Sequence, residues 1–289
     1  MTEPISSAAN PLVKRLRRLA DRRYRRRESA FVVEGIQPVW RAVEAGWEIE
    51  DLIISPELLS VSGPAMEMVA AQESKGVRVA RLTGELFGRL SDRDGPAGLA
   101  AIVRGRQARP QDLVVRPGSV FAALHRIGNP GNLGTIIRTA DAVAADGVIL
   151  IGDSIDPFAP TAVKASMGSL FAVDVANAGD SGQFFDWAAA NGVQVAATSG
   201  HAGTEHWSAS YRPPLAVLLG SEGTGLPEDM LARADLRIRI PMTGTAESLN
   251  VAVAAGVTLY EVRRHVVSRA SAASAAAPHK RQSQPRWLR

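Results

Sequence analysis

Between residues 120 and 240 the chain carries a series of short apolar runs. Val120–Leu124, Gly147–Ile151 and Leu215–Leu219 are unbroken, and Phe171–Val175, Val193–Thr198 and Leu236–Ile240 are interrupted only by Asp174, Gln194, and Arg237 with Arg239. Segments of helical length separate most of them. A strand with one wet face alternates apolar and polar residues, whereas a strand covered on both faces does not. This pattern predicts an α/β domain built on a parallel sheet with helices on both sides. A final helix, read from about Ser248 to His265, places Leu249, Ala252, Val253, Gly256, Leu259 and Tyr260 on one face.

The first hundred residues read differently. Asn10-Pro11 is a helix start, with Asn as N-cap and Pro at the first helical position, and the helix is expected to reach about Tyr24. A short apolar stretch at Phe31–Val33, a helix over 35–45, a strand at Leu52–Ser55, a helix over Pro64–Lys75 and strands at Val77–Arg81 and Leu99–Val103 follow. These imply a smaller α/β unit over residues 1–104. Residues 105–117 are polar and hold two prolines, as a linker does. The larger unit is read as 118–268. The Ser/Ala-rich, then basic, residues 269–289 are expected to be disordered.

Charge separates these parts further. The chain carries a net charge of +4, yet nine of its basic residues fall between Lys14 and Arg27 against one acid, Asp21. Lys280, Arg281, Arg286 and Arg289 add a basic C-terminus. Clustered charge of one sign is the footprint of a polyanion binder. Lys14, Arg15, Arg18, Arg22, Arg25 and Arg26 are the candidate nucleic-acid contacts. Cysteine is absent, which removes thiolate catalysis and cysteine-held metals. No apolar run reaches membrane-spanning length, and residues 1–10 show no apolar signal core, so a soluble cytoplasmic protein is expected. The nucleotide-binding glycine motif, the P-loop lysine and the hydrolase elbow are missing. His201, Glu205 and His206 sit in what reads as a loop, and no metal site is assigned.

Three segments exceed what folding requires. Asn129-Pro-Gly-Asn132-Leu-Gly134-Thr-Ile-Ile-Arg138 follows an apolar strand and opens a helix. Asn132 is a candidate cap there, and Arg138 on an apolar helix calls for an anionic partner. Leu218-Leu-Gly220-Ser-Glu222-Gly223-Thr-Gly225 ends a strand in glycines around one carboxylate. Ile240-Pro-Met242-Thr-Gly244-Thr-Ala-Glu-Ser248-Leu249-Asn250 ends another in a loop that Ser248 can close as a helix cap. In open α/β sheets ligands bind beyond the carboxyl ends of the strands.

In this order and spacing the three segments resemble the motifs of the SpoU (TrmH-like) branch of the SPOUT methyltransferases. Val163-Lys-Ala-Ser-Met-Gly-Ser-Leu-Phe extends the likeness, which covers about residues 118–268. Residues 5–104 resemble the small α/β RNA-binding domain that precedes many members. The resemblance implies a parallel sheet with a C-terminal trefoil knot, a homodimer, and methylation of a ribose 2′-hydroxyl of RNA by S-adenosyl-L-methionine. The cofactor would be held around Thr198, Gly220, Ile240, Met242 and Leu249. Arg138 would be the central catalytic residue, and Asn132 would orient ribose or phosphate. Glu222 would position Arg138 or the adjacent backbone, and Ser248 and Asn250 would bind substrate or close the cofactor loop. Ribosomal RNA is favoured as substrate. Transfer RNA, a silent RNA-binding assembly factor and an α/β enzyme for an acidic metabolite are the other readings. The approach to the first motif departs from the family pattern, reading Leu124-His125-Arg126-Ile127-Gly128-Asn129, which places two further basic side chains beside the site.

Overall fold

The computed structural model describes residues 3–60, 62–91, 94–153 and 155–276, with side chains to Ser268. The N-terminal part runs α1 (Pro11–Arg18), α2 (Arg22–Glu28), β1 (Ala30–Glu34), α3 (Ile36–Glu44), β2 (Ile49–Ile54), α4 (Pro56–Leu59), α5 (Gly63–Ser74), β3 (Arg78–Arg81), α6 (Gly84–Leu90) and β4 (Leu99–Arg104). Its four strands form one mixed sheet in the order β1-β4-β2-β3. Only the β2–β3 pair is parallel.

The basic segment is two helices rather than the one expected. Asp21 ends the first by capping the second, its carboxylate accepting from Tyr24 N at 2.9 Å. Buried Leu19 sits at the break.

The larger part runs β5 (Val120–His125), α7 (Pro130–Ala142), β6 (Gly147–Ile151), α8 (Pro160–Ser166), β7 (Val175–Gly179), α9 (Ser181–Ala190), β8 (Gln194–Thr198), β9 (Thr204–Glu205), β10 (Leu215–Leu219), α10 (Glu228–Arg233), β11 (Leu236–Arg239) and α11 (Val251–Ala276). Its seven strands pair in the order β7-β6-β5-β10-β8-β11-β9, every pair parallel. Both faces are buried, as the unbroken apolar runs require. Val120, Ala122 and Leu124 join one core, and Phe121 and Ala123 the other.

Three further expectations are corrected. The run Phe171–Val175 is a 3-10 turn, Ser169–Phe171, followed by a strand that starts at Val175. Leu170 and Phe171 are apolar because they fill the core, not because they pair in a sheet. The last helix starts at Val251 and continues to Ala276. Alanine is the best helix former, so the Ala-rich stretch read as disordered from residue 269 is helical to 276. Residues 277–289, with the four basic side chains of the tail, lie outside the described residues. The loop read over Ser199–Tyr211 holds β9 and a 3-10 turn at His206–Ser208.

The two sheets share a core. Phe31 of β1 stacks on Phe158 at 4.5 Å between ring centroids, and Trp47 meets Phe171 edge-on at 5.2 Å. Such pairs add roughly 0.5–1.5 kcal/mol each beyond their buried area. At the rim of this interface Arg25, 5% exposed, donates to the carbonyls of Leu19 and Ala20 and to the carboxylate of Asp156. Residues 105–117 are tied down too, Ala108 bridging to Ala176 of β7.

Candidate active site

Strands β5, β10, β8 and β11 are neighbours and end on the same side of the sheet. The loops that leave them, residues 126–129, 220–227, 199–203 and 240–250, therefore gather at one edge. All three segments singled out in the sequence arrive there.

Asn129, not Asn132, caps α7. Its Oδ1 accepts from Gly131 N at 2.8 Å and Asn132 N at 3.2 Å, and Pro130 takes the first helical position. A proline at that position, without an N–H to satisfy, fixes the cap one residue earlier. The Asn132 side chain is thereby released for other work. Its Nδ2 donates to Glu222 Oε1 at 3.0 Å, and its Oδ1 accepts from Asn250 Nδ2 at 3.1 Å. One amide thus joins the start of α7 to two loops 90 and 118 residues further along the chain.

Glu222 has a second tie, since Gly128 N donates to its Oε2 at 3.3 Å. Partial burial opposes ionisation of this carboxyl. Hydrogen bonds from Asn132 and from nearby backbone N–H groups outweigh it and hold the pKa below the ordinary value. Glu222 is therefore an anion at neutral pH. It positions Asn132 and the backbone ahead of α7, and does not touch Arg138.

The Glu222 loop is shaped by its glycines. Ser221 and Gly225 pair backbone to backbone, Gly225 has φ +67°, and a Cβ on Gly220 would sit 2.2 Å from the Gly225 carbonyl carbon. Gly220 is demanded by its own loop folding back over it. Gly134 has a similar cause, because a Cβ there would sit 2.3 Å from the Ala162 carbonyl oxygen of α8.

Asn250, not Ser248, caps α11. Its Oδ1 accepts from Ala252 N at 2.9 Å and Val253 N at 3.4 Å. Ser248 lies exposed in the loop before it. No N–H from Met242 to Leu249 has a hydrogen-bond partner among the described residues. Ile240 and Met242 are half-buried, and Leu249 is exposed. Thr198, at the end of β8, donates its hydroxyl to Leu218 O at 3.2 Å. A loop of unspent N–H groups with apolar side chains beside it suits a ligand of mixed polarity, such as a nucleoside joined to an amino acid.

Arg138 is not brought to this bridge. It lies on the outer face of α7, exposed, with no ion pair or side-chain hydrogen bond among the described residues. Six helical residues separate it from Asn132, which turns it about 120° away around the helix. The expectation of an Arg buried on an apolar helix fails, since Leu133, Ile136, Ile137 and Ala140 occupy the inner face.

The nucleic-acid candidates divide. Arg15 is spent on Glu28, Glu50 and Asp51, and Arg25 on Asp156 and two carbonyls. Lys14, Arg18, Arg22 and Arg26 are exposed, as are Arg17, Arg23 and Arg27. Asp156 forms a local turn, accepting from Phe158 N at 2.9 Å, while holding Arg25 with its other oxygen. Among the described residues no three metal-ligating side chains cluster, and no helix is long and apolar enough to cross a membrane.

Comparison with known proteins finds relatives of both parts of the chain. Residues 119–260 match the model of the SpoU rRNA Methylase family, and residues 10–101 that of the MRM3-like substrate binding domain. The 23S rRNA (uridine(2479)-2'-O)-methyltransferase of Streptomyces viridochromogenes is 30% identical over 86% of this chain and 88% of its own. The 23S rRNA (guanosine(2553)-2'-O)-methyltransferase RlmP of Bacillus subtilis is 28% identical over 90% of this chain and 98% of its own. The crystal structure of an AdoMet-bound rRNA methyltransferase from Sinorhizobium meliloti superposes with a TM-score of 0.83 at 37% identity, covering 91% of this chain and 98% of that one. With both parts of the chain matched and the three motif loops meeting at one sheet edge, the chain belongs to the SpoU rRNA methylase family.

Proposed function

We propose that this chain transfers the methyl group of S-adenosyl-L-methionine to a ribose 2′-hydroxyl of RNA, and that ribosomal RNA is the substrate. The observation that carries this is the Asn132–Glu222–Asn250 bridge, set beside the unspent N–H groups of residues 242–249, in a chain matched over nine-tenths of its length by an AdoMet-bound rRNA methyltransferase.

Thr198, Gly220, Ile240, Met242 and Leu249 would hold the cofactor, whose sulfonium supplies an already activated methyl group. What remains for the protein is alignment of the hydroxyl oxygen and relief of its proton. Asn132, fixed from both sides, presents a rigid amide edge to ribose or phosphate. Arg138 offers a planar fork of N–H donors and no acceptor. It therefore acts as a clamp on the neighbouring phosphate and on the developing alkoxide, an electrostatic role. Ser248 stands in the loop between the cofactor residues and Asn250.

We further read the enzyme as a cytoplasmic homodimer joined through α7 and α11. Val253, Tyr260 and Val267 recur every seven residues on α11 and are 52%, 57% and 49% exposed, with Leu249 ahead of them at 37%. An apolar stripe of that spacing suits a second copy of the same helix. The pairing would also cover Arg138, which is exposed. After β11, outermost but one in the sheet, the chain returns to pack α11 against α7 and β10, and this return supports the trefoil knot. Tyr260→Glu is expected to give a monomer by sedimentation; an unchanged dimer would remove this interface. A crystal structure whose chain straightens when drawn out from both ends would remove the knot.

The deciding experiment incubates the purified chain with methyl-labelled S-adenosyl-L-methionine and unmodified total RNA, then separates the RNA by size. Label in a large ribosomal band is expected. Label confined to transfer RNA would move the substrate. Failure to bind the cofactor would leave the silent RNA-binding reading in its place.

A further inference from the structure

The seam between the two parts holds a cavity of about 150 Å³ beside the shared core. Arg22, Arg25 and Arg26 of α2 line one wall. Gln107, Asp156 and Asn177 line the other. We propose that this seam is a second RNA site, which takes a backbone phosphate between Arg26 and the amides of Gln107 and Asn177. The inference rests on RNA being the substrate, and adds where the strand runs outside the methyl-transfer site.

Four observations carry it. Three arginines face a single carboxylate, so the cavity is cationic. The one carboxylate, Asp156, is already matched by Arg25 within the wall, so it does not compensate Arg26. Arg26 is exposed and makes no ion pair or side-chain hydrogen bond among the described residues. Asn177 Oδ1 accepts from Gly179 N at 2.7 Å, which leaves its Nδ2 as a donor. A cationic pocket rimmed by amide donors is matched to phosphate oxygens.

The wall of the seam is also tied through the backbone to the site. Ile155, next to Asp156, donates its N–H to Ile127 O at 3.2 Å. Gly128, the next residue, donates to Glu222. The backbone beside the seam is therefore hydrogen-bonded to the segment that leads into Asn129 and Asn132. The exposed cations of α1 and α2 extend the track outward.

The test uses the full-length chain and unmodified ribosomal RNA. Arg26→Ala is expected to weaken RNA affinity about fivefold at low salt, and to lower the slope of log affinity against log salt by about one, the value for one lost phosphate contact. Cofactor affinity, which reports an intact fold, should not change. Lys75→Ala, an exposed lysine after α5 outside the seam, should leave slope and activity as they were. Because the chain has no cysteine, Gln107→Cys can carry a single photo-crosslinker and should form an RNA adduct, while Lys75→Cys should not. An unchanged slope in Arg26→Ala, or no more adduct at position 107 than at position 75, overturns the seam site. A wild-type chain that neither binds nor methylates ribosomal RNA overturns the substrate reading instead.

Discussion

Asn132 Nδ2 stands 3.0 Å from Glu222 Oε1, and the same carboxylate takes the N–H of Gly128 on its other oxygen. A glutamine at position 222 would keep one acceptor but turn an N–H₂ towards a donor. We expect Glu222→Gln to lower kcat roughly tenfold, about 1.4 kcal/mol of barrier, with little change in Tm because Glu222 is exposed. Equal turnover by the two proteins would show that the bridge does not organise the site.

The same carboxylate sets a pH dependence. Its folded pKa is depressed, so the ordered bridge is present above the ordinary carboxylate value of 4.5 and is lost as pH falls through the lower, folded value. Single-turnover rates should therefore show no loss from Glu222 between neutral pH and about 5. A Glu222-dependent fall in rate already at pH 6, absent from Glu222→Gln, would contradict this ordering of the two values.

Arg138 is exposed and makes no ion pair or side-chain hydrogen bond among the described residues, so its removal should not disturb the fold. Arg138→Ala is expected to cut label incorporation at least about a hundredfold while stability shifts by less than about 0.5 kcal/mol. Arg138→Lys should recover little, since a point charge does not reproduce a fork that grips two oxygens. Thermal unfolding and cofactor titration, run beside the activity assay, separate loss of chemistry from loss of fold.

Much of this was legible in the residues. The unbroken runs at Val120–Leu124 and Leu215–Leu219 gave two central strands, because no half-buried strand has that pattern. The positions of Asn132, Glu222 and Asn250 were visible as motif residues, but their mutual hydrogen bonds were not, because they depend on strand order. Sequence placed the two caps wrongly by a few residues for a local reason. Asn129 and Asn132 are equally good cap formers, and only the fit of Pro130 at the first helical position decides between them. Arg25 and Arg26 are neighbours in one basic run, yet one is buried in the seam and the other is exposed. That difference follows from Asp156, 131 residues away, which no local pattern reports.

Asn250 has two tasks that substitution can separate. Its Oδ1 caps α11, and its Nδ2 donates to Asn132. Asn250→Ala should lower stability by about 1 kcal/mol and lower kcat as well. Asn250→Asp keeps the cap but sets a carboxylate against Asn132 Oδ1, so stability should stay near wild type while kcat falls. If both variants lose the same stability, the cap assignment is wrong.

Arg25 and Asp156 tie the basic helices to the catalytic sheet, and both side chains are largely buried. Arg25→Met would leave Asp156 as an unpaired buried charge and strip the carbonyls of Leu19 and Ala20 of their donor. Breaking a buried pair in this way costs about 3–5 kcal/mol, enough to lower Tm by many degrees. Asp156→Asn should cost less, because an amide oxygen can still accept from the guanidinium. Removal of residues 1–104 goes further, since it uncovers Phe158 and Phe171, which Phe31 and Trp47 now cover. We therefore expect the shortened chain to aggregate or lose cofactor affinity, rather than to persist as an independent catalytic unit. Calorimetry of Arg25→Met and solubility of the shortened chain read the two effects. A soluble 105–289 fragment with full cofactor affinity would show that the shared core is dispensable for the site.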